Sequence, residues 1–164
     1  MNFQFYIEKL FESEEFAEFK KEFPDAYLCS GFFVIDLTNS ENQQHLDFFV
    51  PSFEKMFSFQ LESNLQRVPL ENIGEKPEKL FANYDFDFKD VEEKIKKEMD
   101  SRGIKNQIQK FLFSLQRKGD KDFLVSTIFT SNMGILSASI SLPDLSVENF
   151  EKKSFLDMFK IIKK

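Results

Sequence analysis

Apolar residues in the first twenty-three positions recur at helical spacing, but on two different faces. At about 100° per residue, Phe3, Ile7, Leu10 and Phe11 share one face, whereas Phe16, Phe19 and Phe23 fall nearly opposite. A phase slip of that size predicts two short helices. Ser13 supplies the second with an N-cap, Glu14 and Glu15 place acids in its first turn, and Pro24 stops it. The pattern then changes to alternation. Residues 27–38 are rich in aromatic and β-branched side chains, residues 45–50 are short and aromatic, and residues 55–61 put Phe57, Phe59 and Leu61 on one face. All three stretches predict strands.

Residues 63–82, with Pro69, Gly74 and Pro77 and little periodicity, read as a connection. A helix is predicted over 88–102: Asp87 is its N-cap, Val91, Ile95 and Met99 form its apolar stripe, and Gly103 is its C′ residue. Strands are predicted over 107–116, 122–130 and 135–142, with turns at 117–121 and 131–134. In the last of them Leu136, Ala138, Ile140 and Leu142 point inward, and Ser137, Ser139 and Ser141 outward. Residues 150–162 predict a closing helix, with Lys160, Lys163 and Lys164 at its carbonyl end.

The two halves share short matches. Phe19-Lys-Lys-Glu-Phe23 and Ile95-Lys-Lys-Glu-Met99 lie 76 residues apart, and Asp47-Phe-Phe-Val50 and Asp122-Phe-Leu-Val125 lie 75 apart. With the shared order helix–strand–strand–strand, they predict a duplicated α+β chain. The expected architecture is two helix–three-strand antiparallel units in one curved sheet covered by helices, plus the C-terminal helix. Residues 1–62 form the first half, 63–84 the connecting segment and 85–164 the second half. In this order of elements the chain resembles a tandem of PepSY-like modules, most closely over about residues 88–142. The resemblance implies a binding or inhibitory module, and such modules are mostly extracytoplasmic or membrane-linked.

Composition narrows the classes. The 164 residues are 41% hydrophobic and 30% charged, which suits a folded chain. No stretch approaches the ~18 apolar residues of a spanning helix. The first residues lack a basic region, an apolar run and a small-residue cleavage site, so a cytoplasmic setting is expected. A single Cys29 excludes a disulfide framework within one chain. Residues 1–80 carry a net charge of −8 and residues 81–164 a net of +2. The densest basic stretch, 94–102, is diluted by Glu92, Glu93, Glu98 and Asp100, which argues against nucleic acid as a partner.

Candidate chemistry is sparse. His45, two residues from Asp47, could be a general base oriented by that carboxylate. Cys29 could be a nucleophile, although its apolar strand favours a buried, inert thiol. The carboxylates Asp85, Asp87 and Asp90 could meet a hard cation, but the spacing of a calcium loop is missing, and capping by Asp87 and Asp90 explains two of them. No phosphate loop or GxSxG elbow occurs. Phe32-Phe33 and Phe48-Phe49 place a ring on each face of their strands, which predicts either helices over both sheet faces, the favoured reading, or one face left to bind a partner or a lipid-like ligand.

The expectation is a non-catalytic binding or interaction module with no cofactor and no metal site. Its partner would be an unknown protein or a small apolar ligand, with a homodimer through an edge strand possible. The alternative is a small cytoplasmic enzyme built on His45 and Asp47 or on the Asp85–Asp90 carboxylates. A ligand groove is expected where residues 63–84 cross the sheet, with Arg67, Tyr84 and His45 as its polar handles.

Overall fold

A computed structural model describes residues 1–62, 64–71, 74–81 and 83–153. Helices α1 (Phe3–Phe11) and α2 (Glu14–Glu22) lead into strands β1 (Tyr27–Asp36), β2 (Gln43–Val50), β3 (Lys55–Gln60) and β4 (Gln66–Leu70). Helix α3 (Phe88–Ser101) leads into β5 (Ile108–Lys118), β6 (Lys121–Thr130), β7 (Gly134–Ser141) and β8 (Val147–Lys153). The eight strands form one antiparallel sheet in the order β4-β3-β2-β1-β5-β6-β7-β8. The chain is therefore α+β, and β1 and β5 meet antiparallel at its centre.

The helical phase slip is a real break. The Ser13 hydroxyl accepts the Phe16 N–H at 3.2 Å and donates to the Leu10 carbonyl at 2.6 Å, so one side chain ends α1 and starts α2. Asp87 caps α3 through the Lys89 N–H, and Gly103 takes the left-handed turn just past it, at φ 69°.

One sheet face carries the core. The strand residues of the continuous apolar cluster include Phe33, Leu46, Phe48, Phe59, Phe113, Leu124 and Ala138. In the strand register they share a face, and Phe3, Ile7 and Leu10 of α1, Phe19 of α2 and Val91, Ile95 and Met99 of α3 join the same cluster. The opposite face has no helix over it among the described residues; Phe32, Leu112, Val125 and Phe129 lie there half-buried. Among the described residues the expected helices are therefore found over one face only. Phe32 and Phe49 are instead sheltered by cross-strand neighbours, Phe49 against the Tyr27 ring at 5.7 Å.

Two strands differ from the expectation. β4 lies inside the stretch read as a connection: it is five residues long, mostly exposed and interrupted by Pro69, so it shows no alternation of apolar and polar positions. Residues 150–153 end β8, where a helix was expected to open; in that strand buried Phe150 and half-buried Val147 pack against the core, and the remaining residues are polar or charged. The rest of the predicted helix, 154–162, lies outside the described residues. Each helical segment is therefore followed by four strands and not three.

The two sequence matches behave differently in the fold. Phe19 and Phe23 of α2, and Ile95 and Met99 of α3, all face the core. Asp47 and Asp122 do not correspond, because Asp47 lies opposite to Leu46 and Phe48 while Asp122 shares the inward face with Leu124.

Phe19 is the hub of the first half. It is fully buried, and the rings of Phe16, Phe23, Phe48, Phe57 and Phe59 lie 5.0–6.2 Å away. Phe19→Ala should lower the unfolding free energy by about 3–5 kcal/mol, read by urea denaturation. Phe53→Ala, at a ring 58% exposed, should cost under about 1 kcal/mol. Equal losses would contradict this packing.

Candidate functional site

After β4 the chain must return to the middle of the sheet to begin α3. It does so across the end where β1 starts and β6 starts, and residues 77–87 are fastened along that path. The Tyr27 hydroxyl donates to the Pro77 carbonyl at 2.5 Å, and the Leu80 N–H to the Leu28 carbonyl at 2.9 Å. Phe86 accepts the Phe3 N–H at 3.0 Å, and the Phe88 N–H reaches Met1 at 2.8 Å.

The strongest fastening is Asp122, which is almost wholly buried. Its carboxylate accepts the Tyr84 hydroxyl at 2.6 Å, the Phe81 N–H at 3.3 Å and Arg117 Nη1 at 3.1 Å. The Arg117 guanidinium also lies over the Phe81 ring, 4.7 Å from its centroid. Burial, then the hydrogen bond to Asp122, pushes the Tyr84 phenol up from 10.0 to about 12. A buried carboxylate met by three donors is a structural clamp.

Between this crossing segment and the α1–α2 pair runs a groove of about 670 Å³. Its floor is made by buried Ile7, Leu28, Phe48 and Leu80. Phe11 and Phe81 stand at its mouth, 45% and 52% exposed, and Phe16 stacks on Phe11 at 4.9 Å and meets Phe48 of the floor at 5.3 Å. Glu8 and Glu12 line the α1 edge, Lys79 the crossing-segment edge, and Lys20 completes the lining. The Lys20 ammonium is held by the Pro24 and Ala26 carbonyls at 3.1 and 2.9 Å.

The groove thus has one wall made by part of the predicted connection, but the three predicted handles are not gathered there. Tyr84 serves the Asp122 clamp. Arg67, on β4, pairs with Glu22 at 3.1 Å and covers the rings of Phe19 and Phe57 at about 5.5 Å. His45, on the face opposite to Arg67, bonds Glu62 Oε1 at 2.9 Å. Burial raises the Glu62 carboxyl, but hydrogen bonds from His45 and the Gln44 N–H outweigh it and hold it low. The carboxylate on His45 is therefore Glu62, while Asp47 accepts the Ser30 hydroxyl at 2.8 Å.

The other candidates have structural partners. Burial, with the Asp47 charge beside it, pushes the Cys29 thiol up to about 12, which leaves no thiolate near neutral pH. Asp85 accepts from Asn2, and Asp87 caps α3 beside the terminal amine at 3.6 Å. Among the described residues no group of three or more His, Cys, Asp or Glu could hold a metal ion. No described helix is long and apolar enough to cross a membrane.

The pattern puts Arg117 in a turn and Asp122 at the start of a strand, and neither reading reveals the ion pair between them. A signal existed: Arg117 is two residues past inward Leu115, and Asp122 two before inward Leu124, so alternation puts both on the buried face. Phe11 and Phe81 gave no comparable signal, since the groove between them forms only in the fold.

No family model matches the chain, and no curated protein matches it. Among solved structures it is similar to a candidate lipoprotein from Clostridium difficile 630, with a TM-score of 0.58 and 14% identity. The likeness covers 85% of this chain and 91% of that one. At that identity the two share a fold.

Tyr84→Phe tests the clamp. A raised phenol pKa makes the neutral form the one the fold prefers, so its contribution is whole below pH 10.0 and is lost as pH climbs toward about 12. The variant should be less stable at neutral pH by about 1–3 kcal/mol, because Asp122 loses a donor. Its stability should also fall less steeply than the wild type's across that alkaline window. Parallel denaturation curves for the two proteins through that range would contradict the clamp.

Proposed function

We propose that the chain is a non-catalytic binding module whose site is the groove between α1–α2 and Lys79, Leu80, Phe81 and Asn83. One observation carries the reading: Phe11 and Phe81 expose about half their surface on opposite sides of an apolar trough of about 670 Å³. Recognition sites have that size and that mix of apolar lining with few polar groups. The reactive side chains lend support by being occupied elsewhere, His45 by Glu62, Asp47 by Ser30 and Tyr84 by Asp122. The small-enzyme reading loses its His45–Asp47 pair, since Glu62 stands at His45 in place of Asp47, and Cys29 is buried.

We also infer that the two halves are duplicated PepSY-like units. The mirrored strand order around β1 and β5 supports this, as do the matching core positions of α2 and α3. The Asp47 and Asp122 segments do not, since they differ in which face they present. Edge-strand self-association has less support. β4 carries Arg67 and Pro69, and β8 carries Glu148, Glu151, Lys152 and Lys153, the residues that blunt an edge. The Clostridium difficile neighbour is described as a candidate lipoprotein, and fractionation of the native cells distinguishes a cytoplasmic from a membrane-linked setting.

Nile red, a neutral apolar dye, probes the groove. The wild type should bind it with blue-shifted emission, and Phe11→Ser with Phe81→Ser should lose most of that signal while keeping the helical circular dichroism. Equal emission from both proteins would refute the groove as the apolar site.

A further inference from the structure

We propose that the occupant of the groove is a cationic amphipathic helix of a partner protein, an inference that rests on reading the groove as the binding site. Along α1 the lining runs from Gln4 to Glu12, which is about 12 Å or two turns of helix. A second helix laid beside it would present anchors one turn apart to Ile7, Phe11 and Phe81, the usual geometry of a helix in a groove. An extended peptide is served less well. The crossing segment spends its Leu80 and Phe81 N–H groups on Leu28 and Asp122, so those donors are not free to add a strand.

The charge of the occupant follows from the edges of the groove. Glu8 and Glu12 sit one turn apart on the α1 edge, where like charges weaken a helix. Among the described residues no Lys or Arg answers them. Among the described residues Glu8 accepts only Gln4 Nε2, at 3.4 Å, and the Glu12 carboxylate has no partner. Of the lysines nearby, Lys9 is drawn off to the Leu61 carbonyl at 3.0 Å, and Lys20, which lines the groove, is held by the Pro24 and Ala26 carbonyls and pairs with neither glutamate. Such a pair beside an apolar trough complements Lys or Arg residues one turn apart on a docking helix. Lys79, on the other edge and without an ion pair among the described residues, accommodates an acid or a neutral flank. A small apolar molecule would use none of these charges.

The test uses two synthetic peptides about four helical turns long, with the same leucine stripe and a polar face of either lysine or glutamate. Each is titrated into the isotope-labelled full chain and followed by amide chemical shifts and fluorescence anisotropy. The lysine peptide should shift the amides of α1 and of Leu80 and Phe81, and bind more tightly than the glutamate peptide. Glu8→Gln with Glu12→Gln should weaken it about fivefold and flatten its salt dependence. The same charge change at Glu148 and Glu151, on the far edge strand, should leave it unaltered. Equal binding of the two peptides, shifts away from the groove, or indifference to the Glu8 and Glu12 changes would each overturn the proposal. If Nile red binds the groove and neither peptide does, the site takes a small apolar molecule. If Nile red fails as well, the groove reading itself falls.

Discussion

Among the described residues three helices, two of them short, cover one face of an eight-stranded sheet, and that constraint shapes the rest of the molecule. Eight strands at the usual spacing span about 34 Å, while packed helices sit about 8–10 Å apart. α1 and α2, at nine residues each, are only about 13 Å long. The helical layer is therefore too small to close without help. Part of the shortfall is made up by the crossing segment, which lays Leu80 and Phe86 into the core between the helices. The remainder is the groove, left where the α1–α2 pair and that segment do not meet.

The same shortfall explains the aromatic content. A sparse helical layer needs long, rigid side chains that reach from helix to sheet, and Phe buries a large area with few rotatable bonds. Phe3 touches Phe33 and Phe86, and Phe88 touches Phe33, Phe86 and Phe113, so one ring network links α1, α3 and the central strands. Room for it is made at Gly31, where an added Cβ would lie 3.2 Å from the Phe33 ring and 3.4 Å from Leu115 Cβ. Phe3, Phe19, Phe33, Phe88 and Phe113 are among the phenylalanines that thus act as spacers within one core. The exceptions matter more for function: Phe11 and Phe81 stand where the spacing leaves a gap.

Local rules made much of this readable from the chain. Ser13 marked the break between α1 and α2, Asp87 and Gly103 bracketed α3, and alternation located the central strands, because each signal depends on neighbours within one turn or one strand. β4 and β8 were obscured because edge strands trade apolar alternation for charge and proline, so they resemble loops or helices. Helices were expected on both faces because Phe32-Phe33 and Phe48-Phe49 are apolar on both sides, yet a half-buried ring needs only cross-strand neighbours. The site was readable as a region and not as residues. Arg67, Tyr84 and His45 are conspicuous polar residues in an apolar chain, and such residues are drawn first into structural pairs.

Those structural pairs nonetheless prepare the groove. Its outer wall is a stretch without secondary structure, which by itself would lose conformational freedom on binding any occupant. The Asp122 carboxylate removes that freedom in advance by fixing Phe81 through its N–H and Tyr84 through its hydroxyl, while Arg117 holds the Phe81 ring from above. A hydrophobic pair in place of Arg117 and Asp122 could match the stability but would not orient the Phe81 backbone. The buried charge is therefore better understood as a positioning device for one wall of the groove. On that account the clamp and the groove form one unit: the binding surface is rigid because an ion pair outside it is buried.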